Sequence, residues 1–287
     1  MSKSKVYFTK NITPESVIKI YEALGVELPG KVGVKVHSGE VGNQNFIKPQ
    51  FWKPMIDKVK GTIIECNTAY EGKRNTSEAH WETMKFHGWT DVAKVDIMDE
   101  EGEIELPIKN GKRIKTNYVG NHLKNYDSIL VLSHFKGHPM GGFGGALKNI
   151  SIGIASSYGK TYIHGVGKPE DFWTSDHDSF LEAMADAAKS VVEYFKGNMA
   201  FINVMCNMSV DCDCCAVAAD PKIGDIGILA SLDPIALDQA CVDLVYKSED
   251  EGKSHLIERM ESKNGIHTVE AAADLGFGSR EYELIKL

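Results

Sequence analysis

The chain has 287 residues, 43% of them hydrophobic and 25% charged. Those values exclude a disordered chain, a collagen-like repeat and a coiled-coil rod, and the length admits one large domain or two modest ones. Lys and Arg sum to 32 against 40 Asp and Glu, a net charge of −8, so there is no general pull toward nucleic acid or an anionic membrane, although a local basic pocket could still bind a small molecule or anion. No window approaches a membrane span, and the start of the chain lacks the apolar core of a signal peptide, so a cytoplasmic protein is expected. Assembly into a homo-oligomer is compatible with the sequence.

In chain order, residues 6–8 read as a short strand. Val17, Ile18, Ile20, Tyr21 and Leu24 share one face of a helix over 14–24. Val32, Val34 and Val36 alternate as a strand that delivers His37 to its carboxyl end. A helix over 53–59 follows, with Pro54 in its first turn, then a strand over 61–66. Residues 75–87 read as a helix with Asn75 as its N-cap. Strands are expected at 94–98 and 128–132, with a hairpin between them around Asn110 and Gly111. A glycine-rich stretch leads into a strongly amphipathic helix over 176–195. Strands at 200–205 and 226–230, helices at 234–246, 253–263 and 267–275, and a last strand at 282–285 complete the pattern. Alternating strands and helices predict a layered α/β fold, a mainly parallel mixed sheet with helices on both faces. No break marks an internal boundary, so residues 1–287 read as one domain.

The densest chemistry follows the apolar strand Ile129 to Leu132. Within 133–149 lie His134, Lys136, His138, Gly142, Gly144, Gly145, Lys148 and Asn149. Two His with an intervening Lys supply ligands or general bases beside a fixed cation. The glycines let backbone N–H groups approach a ligand, and a helix opening at Ala146 would offer its N-terminus to an anion. The alternative is a glycine-rich turn with hydrogen-bonded surface His. The match to a nucleotide P-loop is poor, because no Gly-Lys-Ser/Thr follows the glycines. Two further polar loops follow strands: one carries His37, Glu40 and Asn43, and the other carries Lys73 and Arg74. Either could be an ordinary turn; together the three predict one cleft at the carboxyl ends of the strands.

Four of the six Cys lie within 206–215. With no secretion signal, disulfide stapling is a poor explanation, and reduced thiols or metal ligands are the starting point. Cys212 and Cys214 flank Asp213. In an extended segment both side chains point the same way and Cys215 points away. Nearby acids raise thiol pKa values unless a cation compensates, which favours a metal there. A His from the 133–138 segment is the expected third ligand, with His134 the one named. Zinc-ribbon and bacterial-ferredoxin spacings are both absent. The alternative is a reduced, buried turn.

Several short motifs run in order along the chain: KVHSGEVGN at 35–43, YEGKR at 70–74, SHFKGH at 133–138, GFGGALKN at 142–149, DCDC at 211–214, DIGILAS at 225–231 and DPIALD at 233–238. By these the chain resembles the family of uncharacterised Fe–S centre proteins built on domain of unknown function 362. Many such proteins insert a ferredoxin module after the segment corresponding to 160–168. This chain has no Cys between Lys168 and Met205, so the Fe–S label does not carry over by name. The GGALK stretch also resembles the lysine-containing loop of nickel-pincer lactate racemases, which implies a loop able to hold phosphate or an anionic cofactor.

The expected function is a metal- or cofactor-dependent enzyme of anaerobic metabolism. His37, His134, His138 and Lys136 would be catalytic. Gly142, Gly144, Gly145, Lys148, Asn149, Lys73 and Arg74 would bind a cofactor or anion. Cys212, Cys214 and His134 would hold an iron, zinc or nickel ion or an Fe–S cluster. The competing readings are a metal or cluster carrier without turnover, and an anion-binding protein whose cysteines are structural.

Overall fold

The computed structural model describes residues 3–287. The first half forms β1 (Ser4–Thr9), α1 (Pro14–Ala23), β2 (Val32–Lys35), α2 (Pro49–Val59), β3 (Thr62–Glu65), α3 (Ser77–Phe86) and β4 (Val95–Ile97), then the hairpin of β5 (Glu103–Pro107) and β6 (Thr116–Gly120). Next come β7 (Ser128–His134), the small pair β8 (Lys136–His138) and β9 (Gly142–Gly144), α4 (Ala146–Ser151), α5 (Ser157–His164) and α6 (His177–Phe195). The chain continues through β10 (Met199–Met205), β11 (Gly227–Ser231), α7 (Pro234–Lys247), α8 (Lys253–Ser262), α9 (Ile266–Asp274) and β12 (Tyr282–Lys286).

The expected pattern is present with local shifts. Helix α2 starts one turn early, because Pro49 occupies its first turn and Pro54 is accommodated inside it. The cap of α3 is Thr76, whose hydroxyl accepts from the Ala79 N–H at 3.3 Å, so Asn75 lies outside the helix. Strand β7 runs on to His134, and Asn110 takes positive φ in the expected hairpin turn.

Eight strands form one sheet in the order β12-β1-β11-β10-β7-β2-β3-β4. The pairs β10–β7, β7–β2, β2–β3, β3–β4 and β1–β12 are parallel; β11 pairs antiparallel with β10 and β1. This is the mixed, mainly parallel α/β sheet that the sequence predicts. The pleat of β7 sends Ile129 and Val131 to one face, where they pack with residues of α4, α6, α7 and α9. Leu130 and Leu132 go to the other face, with residues of α1, α2 and α3. A third cluster joins the β5–β6 turn to α5 and α6 through Ile108, Ile114, Ile163 and Phe180.

From β2 the chain builds outward through β3 to β4. It then returns to β7 on the other side of β2 and builds outward through β10. The winding therefore reverses between β2 and β7, and a crevice opens beyond their carboxyl ends. His37 follows β2 and His134 ends β7.

The β5–β6 turn is fastened to α6 by two buried acids. Asp186 accepts the backbone N–H groups of Lys112, Arg113 and Ile114 at 2.7, 2.6 and 2.9 Å. Glu182 accepts from Lys112 Nζ at 2.6 Å, from Arg113 Nε, and from His267 Nε2 at 3.0 Å. Replacing Asp186 by Ala strands three donors, and we expect a loss of ~3 kcal/mol in a urea titration. A change below about 0.5 kcal/mol, the range of an ordinary surface substitution, would show that this anchor is not used.

Candidate functional site

A cleft of about 310 Å³ lies at the switch between β2 and β7. Its lining comes from all three expected loops: His37 from the first, Thr68, Tyr70 and Arg74 from the second, and residues between Ser133 and Asn149, among them His134, His138 and Lys148, from the third. The parallel sheet is the reason, since β2, β3 and β7 all release their loops at the same edge.

The cysteine segment closes one side. It is a turn, not the expected extended strand: the Cys215 N–H donates to the Cys212 carbonyl at 2.9 Å, and the Cys214 N–H approaches Cys212 Sγ at 3.5 Å. Cys212 is buried behind the wall, whereas Cys214 and Cys215 line the cleft, so Cys215 does not point away. Loops from the other strands hold this turn. Asn43 Nδ2 donates to the carbonyls of Cys215 (2.8 Å) and Cys212 (3.4 Å), and the Glu40 N–H donates to the Asp213 carbonyl (2.8 Å).

The Asp213 side chain lies within 3.0 Å of both His134 Nδ1 and Lys136 Nζ. Burial would raise its carboxyl pKa, but those two charges hold it well below the usual carboxylate range. His134 Nε2 meets the Cys206 carbonyl at 2.6 Å. Both ring nitrogens of His134 therefore face acceptors, leaving no lone pair for a metal ion. The ligand set thus differs from expectation. His138, Cys212 and Cys214 place their ligand atoms within 4.8 Å of one another, and His138 takes the place expected of His134. Its Nδ1 accepts the N–H groups of Met140 and Gly141 at 3.1 and 2.8 Å. Two thiolates and an imidazole suit zinc or another borderline-soft ion, and three protein ligands leave coordination positions free. A second group within 4.8 Å, Asp96, Glu100 and His122, is already engaged in bonds among His122, Asp96, Tyr126, Trp81 and Glu100.

His37 sits beside the thiols, with Nε2 3.9 Å from Cys212 Sγ and Nδ1 accepting the Gly39 N–H. Burial drives its pKa down to about 3, so the ring is neutral at pH 7.

Lys35, Arg74, Lys136, Lys148 and Lys160 all line the cleft. Three are neutralised: Lys35 by Glu65 at 2.6 Å, Arg74 by Glu40 at 3.2 Å and Lys136 by Asp213. Arg74 and Lys136 are thus internal partners of acids. Lys148 and Lys160 make no ion pair among the described residues. Lys160 is buried with only the Ala155 carbonyl, at 2.6 Å, on its Nζ.

The expected anion site at the glycine-rich stretch is partly filled by the protein itself. Helix α4 does open at Ala146, but its first N–H groups, from Ala146 and Leu147, donate to Asp238 at 2.8 and 2.9 Å. A Cβ on Gly145 would lie 2.4 Å from an Asp238 oxygen, so that glycine admits this carboxylate rather than a ligand. Gly142 packs on Gly265, where a Cβ would lie 2.7 Å from the Gly265 Cα, and it does not line the cleft. Asn149 Nδ2 braces β7 through Ser133 Oγ at 2.9 Å. The Lys73 side chain is exposed and outside the cleft. Gly144, Gly145, Lys148 and Asn149 do line it.

Sequence reasoning missed Asp213 as a scaffold, Asp238 as the partner of α4, and Lys160 and His164 as cleft residues. For the last pair a signal existed, a Lys and a His one helical turn apart in a short segment.

The sheet, its switch point and the crevice there define a layered α/β protein with a cleft at the carboxyl ends of its strands. The chain matches domain of unknown function 362 over residues 32–243 and belongs to that family. No curated protein matches it. Among solved structures it is similar to the lactate racemase apoprotein of Thermoanaerobacterium thermosaccharolyticum, at 14% identity and a TM-score of 0.48, over 83% of this chain and 56% of that one. It is also similar to a protein from Thermotoga maritima, at 13% identity and a TM-score of 0.45, over 91% and 58%. The chain spans a little over half the length of either structure.

Replacing Asp213 by Ala leaves Lys136 buried without its partner. We expect the chain to lose about 3–5 kcal/mol of stability in denaturant titration, and alkylation of Cys214 and Cys215 under native conditions to accelerate. A stability within about 1 kcal/mol of the parent and unchanged alkylation would mean that Asp213 does not hold the cysteine turn.

Proposed function

We propose that the protein is a metal-dependent enzyme acting on a small anionic molecule, with its ion held by Cys212, Cys214 and His138. The observation that carries this reading is the approach of those three ligand atoms to within 4.8 Å of one another beside the cleft. Iron, zinc and nickel all accept such donors. A four-thiolate cluster is less well served: among the described residues, Cys212 and Cys214 are the thiols whose ligand atoms gather within 4.8 Å with a third ligand, and that third ligand is His138. A bound ion would supply Lewis acidity in a water-poor pocket. The chain's own groups would do the rest. Lys148 and Lys160 draw in the anion, while Asp213, His134 and Lys136 keep the cysteine turn in place. The neutral His37 lies within reach of that turn as a proton-transfer group.

The test is anaerobic purification followed by elemental analysis. We expect about one ion per chain in the parent protein and none in a Cys212→Ser, Cys214→Ser double variant. His138→Ala should weaken the ion by at least about 10–100-fold, whereas His134→Gln should retain it. Because the Cys212 and Cys214 thiols must ionise to bind, uptake should release protons and tighten as pH rises. Equal metal content in parent and double variant would contradict the site. Rapid, complete transfer of the ion to a competing chelator would instead mark a carrier.

A further inference from the structure

Helix α5 and the segment after it supply cleft groups, His164 and two aromatic rings, that the metal reading does not use. Lys160 and His164 lie one turn apart on α5, and therefore on one face. Both line the cleft and both are only 7% exposed. The His164 ring is fixed by stacking on Phe180, with centroids 4.4 Å apart and an 18° interplanar angle, and by Phe172 at 4.6 Å. Its Nδ1 is buried with no hydrogen-bond partner among the described residues. Orphaned buried N–H groups are rarer than orphaned buried acceptors, so the ring proton belongs on Nε2, the nitrogen left to meet a ligand. Burial, aided by Lys148 and Lys160, lowers the ring's pKa to about 3 and keeps it neutral. Beside it Trp173 stands edge-on to Phe172, at 4.4 Å and 78°, and is 71% exposed although it lines the cleft. Its indole therefore offers accessible apolar surface at this end of the cleft.

We infer that this end of the cleft is a subsite for an aromatic carboxylic acid: Lys148 and His164 Nε2–H take the carboxylate, and Phe172 and Trp173 take the ring. This names the class of the anion in the reading above and rests on it. A carboxylate fits better than a phosphate for a reason already described. The helix N-terminus that would serve a phosphate, that of α4, is occupied by Asp238. A lysine and one neutral donor match a monoanion with two oxygens, and the aromatic pair gives the remainder of the molecule an apolar shelf.

The experiment uses the full chain, with its ion content measured on the same sample, titrated calorimetrically with 3-phenylpropanoate, propanoate and inorganic phosphate. Tryptophan emission is followed in parallel. We expect 3-phenylpropanoate to bind at least about tenfold more tightly than either other probe and to shift the emission to the blue. Trp173→Ala, a change at an exposed position, should abolish the shift and bring 3-phenylpropanoate down to the level of propanoate. His164→Gln should weaken both acids about tenfold without changing the ion content. Should His164→Gln fail to fold, the Trp173→Ala comparison decides alone. Equal affinity for all three probes, tighter binding of phosphate, or a Trp173→Ala variant indistinguishable from the parent would each overturn the subsite. Stoichiometric ion with no binding of either acid would also overturn it while leaving the metal centre intact. Acid binding without any ion would uphold the subsite and remove the metal centre.

Discussion

One buried carboxylate governs the geometry around the cleft. Asp213 is 1% exposed and is shared between His134 and Lys136, while its own carbonyl accepts the Glu40 N–H. Those contacts join the ends of β2 and β7 to the loop after β10. Together with the Asn43 bonds to the Cys212 and Cys215 carbonyls, they hold the turn where Cys212 and Cys214 come within 4.8 Å of His138. An ion pair at this depth is not a cheap source of stability, because desolvation offsets much of the attraction. Its evident effect here is positional: it fixes where two thiols lie relative to an imidazole.

The same logic runs through the other charges. Glu65 takes Lys35 and also the Ser38 N–H, at 2.7 Å, immediately after His37. Glu40 takes Arg74 and the Lys73 N–H, at 2.9 Å. Asp238 reaches across from α7 to close the start of α4 and to accept from Asn203 at 2.7 Å. Burial pushes the Asp238 carboxyl up to about 6 against those donors. The last two pairings consume groups that sequence reading offers to a ligand, Arg74 and the start of α4. What is left uncommitted, Lys148, Lys160 and His164, is therefore more informative than the total charge of the lining.

Much of this was legible from residue patterns. The alternation of β-branched strands and amphipathic helices specifies a parallel α/β sheet, and parallel strands release their loops at one edge. His37, Arg74 and His134 could therefore be assigned to one cleft. The choice between His134 and His138 was not legible, because it depends on a β8–β9 pair of three-residue strands and on Asp213, whose partners lie far away in sequence. The role of Asp238 was hidden in the same way: it reads as the second turn of a helix with a good cap of its own, and its partners are 92 and 91 residues distant. The small helices α4 and α5 sit among glycines, where periodicity is too short to register.

The central claim is that a metal ion sits between Cys212, Cys214 and His138, and X-ray absorption spectroscopy of the zinc-loaded chain tests it most directly. The account predicts a first shell with two sulfurs at about 2.3 Å and a nitrogen at about 2.0 Å, with the sulfur contribution lost in the Cys212→Ser, Cys214→Ser double variant. A shell made only of nitrogen and oxygen, or one unchanged by that double substitution, would contradict it.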